Sequence, residues 1–435
     1  MTRGTMVNAF DRATAQLSPA DDALVSRREA ALGPAYRLFY ETPVHLVRGE
    51  GVWLYDADGN PWLDCYNNVA SVGHCHPRVV EAMAKQASTL ATHTRYLHEG
   101  ILDYAERLLG YFPPALSHVM FTCTGSEAND LAYRIARAAT GGTGVIVTSN
   151  AYHGVTLATA EMSMSIGPAV APGANVFPVP APTLANYPGG VAAGFSQAIR
   201  DACAKMREQG IRPAMLIVDT IFSSDGLITG PEGFLKDAAD AIRAEGGLFL
   251  ADEVQPGFAR TGAAMWGFQR HGVVPDMVSM GKPMGNGYPV AALVMRPEVI
   301  ADFGAKARYF NTYGGNAVAA AVAGAVLSVI EDERLLDNAR ASGAALLAGL
   351  DDLATKHPAL GERRGAGLFV AVDILEDGQP SAEAAARVVN RLRDARVLIS
   401  ASGAKGDALK IRPPLPFGAD HAERFIETLD KVLAQ

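Results

Sequence analysis

Between residues 77 and 324, apolar runs of four to six residues alternate with longer segments of helical period, and few architectures accept that alternation. The runs are Val119–Thr122, Gly144–Thr148, Met215–Thr220, Leu248–Asp252, Met277–Met280 and Val290–Met295. Short strands without polar alternation are covered on both faces, and helices between them serve as crossovers. The pattern therefore predicts an α/β fold around a mainly parallel sheet with right-handed connections. In such a sheet, ligands meet the chain at the C-terminal ends of the strands.

The flanking segments read differently. Residues 1–46 look like an arm with helical pieces, and residues 47–67 hold two short strands around the turn Asp56–Pro61. Residues 168–190, rich in Pro, Gly and Ala, read as a surface loop. A helix over Ala317–Ile330 leads to a small α+β region with strands Leu368–Val372, Val397–Ser400 and Lys410–Arg412. At 435 residues the chain exceeds one simple core. The expected division is 1–76 (arm and part of a small domain), 77–324 (large domain) and 325–435 (C-terminal small domain).

Four strand ends carry candidate chemistry. Lys282 follows the run Met277–Met280 in a Gly/Pro-rich turn, and it is the only lysine between Lys236 and Lys306. An ammonium there is partly desolvated, which lowers its pKa toward a nucleophilic amine suited to Schiff-base chemistry; a lysine capping a strand end is the plainer alternative. After Val119–Thr122 comes Cys123-Thr124-Gly125-Ser126 and then a helical segment. Free amides at that helix start, with Gly125 allowing close approach, suit a phosphate group, whereas Ser126 as an ordinary cap needs no ligand. Asp252 ends Leu248–Asp252, where a carboxylate can hold a proton on a ring nitrogen, bind a metal or cap a helix. Tyr152 and His153 follow Gly144–Thr148 as a platform for a planar ligand or as a loop aromatic covering the core.

Composition narrows the partners. A net charge of −8 with no basic run argues against nucleic acid. No segment approaches eighteen uninterrupted apolar residues, so no membrane span is expected, and the first twenty residues lack the apolar core of a signal peptide. The four cysteines (Cys65, Cys75, Cys123 and Cys203) form no paired framework, which suits a reducing cytoplasm. His74-Cys75-His76 matches no zinc spacing and no second cluster completes a site, so no metal is expected.

Taken in order, the phosphate turn, aromatic, strand-end Asp and Lys resemble the class III, ornithine/4-aminobutyrate-type aminotransferases of pyridoxal-phosphate fold type I. The likeness runs from about Gly51 to the C-terminus. It includes Asp64–Pro77 and Tyr309–Asn316. It implies pyridoxal phosphate held as a Schiff base on Lys282, with Asp252 at the pyridine nitrogen. It places Tyr152 and Val254 on the two ring faces, Gln255 at the ring oxygen, and Gly125 and Ser126 at the phosphate. His153 would lie in the same cofactor site. Thr312 would reach the partner's phosphate, which implies a homodimer or dimer of dimers with shared active sites. The segment Lys410–Leu415 matches the one that supplies a substrate arginine, here Arg412, and Asn68 and Tyr96 are further substrate candidates.

The resemblance implies transfer of an amino group between an amine or amino acid and an oxo acid such as pyruvate, glyoxylate or 2-oxoglutarate. Within the family, Asn67–Ala70, Thr94–His98 and Met280–Gly287 look nearest the branch holding alanine–glyoxylate aminotransferase 2 and ethanolamine-phosphate phospho-lyase. The alternative activity is therefore elimination of the β-substituent from a phosphorylated or phosphonate amine. Several positions depart from the pattern: Asp219-Thr220 stands for Glu-Pro, Cys123-Thr124 for Asn-Ser, Ala317 for proline, and Ser224 for the glutamate that gates the substrate arginine. Ser224 cannot pair with an arginine, which weakens an ornithine or 4-aminobutyrate assignment.

Overall fold

The computed structural model describes residues 7–435, so the first six residues of the expected arm lie outside the described residues. The arm contributes the helix Pro19–Leu32, capped by Ser18. Strands β1 (Leu46–Glu50), β2 (Trp53–Asp56) and β3 (Pro61–Asp64) follow as an antiparallel meander. Asp56 builds its turn: Oδ1 accepts the amides of Asp58 at 3.1 Å and Asn60 at 2.8 Å, and Oδ2 accepts Trp62 Nε1 at 2.9 Å.

The large sheet has seven strands: β4 (His118–Thr122), β5 (Gly144–Thr148), β6 (Val176–Val179), β7 (Pro213–Asp219), β8 (Leu248–Asp252), β9 (Met277–Met280) and β10 (Ala291–Met295). Their order is β4-β10-β9-β8-β7-β5-β6, and only β10 runs against its neighbours. Val145, Ile146, Leu216, Leu250 and Leu293 are fully buried, as the unbroken apolar runs require. β6 falls inside the segment read above as a surface loop. Its four residues pair in parallel with β5, and Pro178 is tolerated because β6 is an edge strand that needs few donors. The surrounding Pro and Gly hid it.

A third sheet contains β11 (Leu360–Ala366), β12 (Phe369–Glu376), β13 (Gln379–Pro380), and, past β14 (Val397–Leu398), β15 (Ser400–Ser402) and β16 (Ala408–Ile411). β11 was missed because Leu-Gly-Glu-Arg-Arg-Gly-Ala carries no apolar alternation; pairing with β12 holds it. β14 joins β3 in parallel, so the chain's two ends share a sheet. The helix Ala317–Asp332 is apolar on most faces, is capped by Asn316, and runs through the core between these layers. Among the described residues, no helix is long and apolar enough to cross a membrane.

Candidate active site

Neighbouring strand ends stand level at the sheet's C-terminal edge. Asp219 of β7 is in register with Asp252 of β8, and Asp252 with Ser279 of β9. Three residues beyond Ser279, the chain turns through a 3₁₀ segment, Lys282–Gly285, closed by the Met284 amide on the Gly281 carbonyl at 2.7 Å. The segment before the large domain clamps this turn. Ser71 Oγ donates to the Pro283 carbonyl at 2.7 Å, and Asn286 accepts the Val72 amide at 2.9 Å and donates to the Gly73 carbonyl at 2.8 Å. Lys282 thus points from a fixed turn into a cavity of about 310 Å³. Burial, reinforced by the Arg412 guanidinium, lowers its ammonium to about 8, while Asp252 and Asp219 pull the other way. Its Nζ lies 5.9 Å from the centre of the Tyr152 ring.

The helix Gly125–Thr140 opens on the same cavity. Its cap is Thr124, not Ser126: Thr124 Oγ1 accepts the Glu127 amide at 3.1 Å, and Glu127 accepts the amides of Cys123 and Thr124. With Thr124 and Glu127 completing this box, the Gly125 and Ser126 amides meet no acceptor among the described residues. They form the electropositive helix end that holds an anion. A Cβ on Gly125 would come within 2.8 Å of Val254 Cγ2, so glycine is what lets Val254 and the turn close around a ligand. Ser126 Oγ accepts the Val155 amide at 3.1 Å, which leaves its proton free to donate.

Asp252 is buried and has both oxygens engaged. Oδ2 accepts from Asn129 Nδ2 at 2.9 Å and meets His153 Nδ1 at 2.8 Å, and Oδ1 accepts the Val254 amide at 3.1 Å. Asn129 also donates to the His153 carbonyl at 2.8 Å. His153 Nε2 has no partner among the described residues. These contacts fix the orientation of the Asp252 carboxyl group at the strand end. A helix end with unpaired amides, Tyr152 and Val254 lining one cavity, a strand-end carboxylate facing it and a lysine with a lowered pKa together fit pyridoxal phosphate.

A second cavity, of about 460 Å³, shares Tyr152, Gln255 and Lys282 with the first and extends to β15 and β16. Arg412, one residue past β16, lines it and is buried. Arg412 Nη1 donates to Gln255 Oε1 at 3.0 Å and to Asn68 Oδ1 at 3.3 Å, and its guanidinium carbon lies 4.5 Å from the centre of the Tyr66 ring. Two residues earlier on the strand, Lys410 projects on the same face. Its Nζ makes one hydrogen bond, to Ser402 Oγ at 3.4 Å, and lies 5.7 Å from the centre of the Phe369 ring. Burial, then Arg412, pushes that ammonium well below its ordinary value. Among the described residues, no carboxylate forms an ion pair with Lys282, Lys410 or Arg412.

Most sequence candidates meet here: Gly125, Ser126, Tyr152, His153, Asp252, Val254, Gln255 and Lys282 line the first cavity, and Asn68 reaches it through Gln255 at 2.5 Å. Tyr96 does not. It is 67% exposed, stacks on His93, and lines a separate groove with Tyr309 and Phe310. Thr312 is exposed and also lies outside the Lys282 cavity of its own chain. His74 and His76 point apart in function, bonded to Asp64 at 2.7 Å and Glu333 at 2.9 Å. Sequence reading missed Asn129, Asp219 and Lys410. Lys410 was legible in principle, since it alternates with Arg412 across an otherwise apolar strand.

Comparison with known proteins agrees with this geometry. The class-III aminotransferase family model matches residues 39–433. An alanine–glyoxylate aminotransferase 2-like protein of Drosophila melanogaster is 40% identical, covering 95% of this chain and 87% of its own. An ethanolamine-phosphate phospho-lyase homologue of Caenorhabditis elegans is 36% identical over 99% of this chain and 98% of its own. The solved structure of an Arthrobacter phospholyase in complex with phosphoethanolamine superposes with a TM-score of 0.92 at 40% identity, covering 95% of this chain and 99% of that one. The chain belongs to the class-III aminotransferase family of fold-type-I enzymes, whose cofactor is pyridoxal phosphate.

Proposed function

We propose that this enzyme eliminates the β-substituent of a small primary amine that carries a phosphate or phosphonate group, releasing ammonia. The observation that carries the reading is the pair Lys410 and Arg412, two buried basic side chains facing the cavity beside Lys282 with no carboxylate in ion-pair contact. An incoming dianion favours the protonated form of Lys410 and pairs with both side chains at once. A lone carboxylate would need only the Arg412 fork. Ser224, where a gating glutamate would neutralise Arg412, leaves the positive field uncompensated. The relatives named as phospho-lyases make the same chemistry plausible in this branch.

Pyridoxal phosphate, when bound, supplies a carbonyl that captures the amine and a ring that takes up the electron pair of the C–H bond. Gly125 and Ser126 anchor its phosphate, Asp252 holds the ring-nitrogen proton, and Tyr152 and Val254 hold the two ring faces. Gln255, whose Oε1 is committed to Arg412 and Asn68, has Nε2 left to donate to the ring oxygen. Lys282, its ammonium lowered to about 8 so that a substantial share of the amine is uncharged near that pH, takes the proton from the amine-bearing carbon. Arg412 and Lys410 hold the anion, which fixes the bond to the leaving group over the cavity. That bond breaks with its electron pair on the departing group, and water then releases ammonia and a carbonyl compound.

Transamination would use the same proton removal at Lys282 but keep the bond to the β-substituent and pass the amino group to an oxo acid. The test is to incubate holoenzyme with O-phosphoethanolamine and related amines without any oxo acid, following ammonia and phosphate. Ammonia released without an acceptor supports elimination. Amino transfer that depends strictly on pyruvate, glyoxylate or 2-oxoglutarate would replace it with the aminotransferase reading.

A further inference from the structure

Arg260 is a fully buried arginine without a carboxylate partner among the described residues, and its contacts converge on the strand that carries Arg412. It follows β8 by eight residues, in a loop where Phe258 and Ala259 both adopt left-handed φ angles of 58° and 66°. Such backbone is unfavourable for side chains of this kind, and it turns the guanidinium inward. Arg260 Nη1 donates to the Leu368 carbonyl at 3.0 Å and to the Pro413 carbonyl, the residue directly after Arg412. The Leu368 amide returns a bond to the Arg260 carbonyl at 3.0 Å. Gly367, at φ 55°, passes so close that a Cβ would lie 2.4 Å from the Thr261 carbonyl carbon. The two layers therefore meet here without slack.

The same loop reaches Arg412 a second time through Gln255. Between Asp252 and Arg260, one stretch of chain holds the Arg412 guanidinium at its tip and the Arg412–Pro413 backbone at its root. Neutral carbonyls repay little of the cost of burying a guanidinium, and Nη2 is left without a partner. A bare packing role would be served better by an apolar side chain.

We propose that Arg260 is a positioning residue that sets where the Arg412 guanidinium stands in the anion site, and so acts on specificity for anionic substrates without touching them. The inference rests on Arg412 binding the substrate anion, as proposed above. It is tested by spectral titration of cofactor-loaded enzyme with O-phosphoethanolamine and with ethanolamine, which differ only in the phosphate. In Arg260→Met, affinity for the phosphorylated amine should fall roughly 10-fold to 100-fold, the scale for misplacing an orienting group, while ethanolamine affinity changes less than about threefold. Arg260→Lys, which keeps the charge but reaches fewer carbonyls, should fall between wild type and Arg260→Met. Arg412→Ala serves as the reference. If Arg412→Ala is selective against the phosphorylated amine and folded Arg260 variants are not, the positioning role is overturned. If Arg412→Ala itself shows no selectivity, the anion-site reading fails, and this inference with it.

Discussion

Arg412 Nη1 donates to Gln255 Oε1 at 3.0 Å, so an arginine one residue past β16 and a residue three past Asp252 are one unit. Gln255 faces both cavities, and removing its amide disturbs both. Gln255→Leu should weaken cofactor retention and raise KM for anionic amines together, each by about 1–2 kcal/mol, the cost of an unmade buried hydrogen bond to a charged group. Equilibrium dialysis of cofactor and steady-state kinetics on the same preparation check the coupling. A change in only one of the two would show that Gln255 serves a single ligand.

Lys282 makes stability depend on pH in a defined window. Its folded value of about 8 lies below the 10.5 of an exposed lysine, so between these values the unfolded chain binds more protons. Stability of the apoprotein from this group therefore rises as pH increases from about 8 to 10.5, and the penalty is full below 8. Lys282→Met apoprotein should be more stable than wild type at pH 7 by on the order of 1–3 kcal/mol, with the gap closing by pH 10.5. Denaturant melts at three pH values measure it; a gap that widens with pH would contradict the assignment.

Lys410→Met trades stability against binding. The substitution removes a buried amine that makes one weak hydrogen bond, so the unliganded protein should gain roughly 1 kcal/mol or more. KM for phosphorylated amines should rise by about 2 kcal/mol or more in binding terms, from loss of one of two cations. Thermal melts and kinetics read these opposite signs. A destabilised variant with unchanged KM would make Lys410 a packing residue.

Thr312 stands exposed, outside the cavity of its own chain, as a residue that completes a partner's phosphate site would. Mixing inactive Lys282→Ala with a cofactor-weak Thr312→Ala variant should restore activity through heterodimers that carry one intact composite site. Exchange shown by mass measurement without any rescue would confine Thr312 to its own subunit or to no role.

The order of chemical groups along the chain was readable without coordinates. A phosphate turn, a strand-end Asp and a strand-end Lys depend on local pattern, because a short apolar run followed by a small or charged residue marks the edge of a parallel sheet wherever it folds. β5, β8 and β9 appear at the residues expected, since strands buried on both faces leave an unbroken apolar signature. β6 and β11 left no such signature: one lies at an edge among prolines, the other is polar and held by its neighbour.

What only tertiary structure decided is which distant side chains share a field. Lys410 belongs with Lys282 because β16 lays its face against a cavity formed some 130 residues earlier in the chain. Asn129 and His153 hold the Asp252 carboxyl across separations of 123 and 99 residues. Arg260 reaches Pro413 across 153. Local pattern reports propensity and solvent contact over a few residues, whereas desolvation and Coulomb coupling depend on proximity in space, which no spacing along the chain encodes.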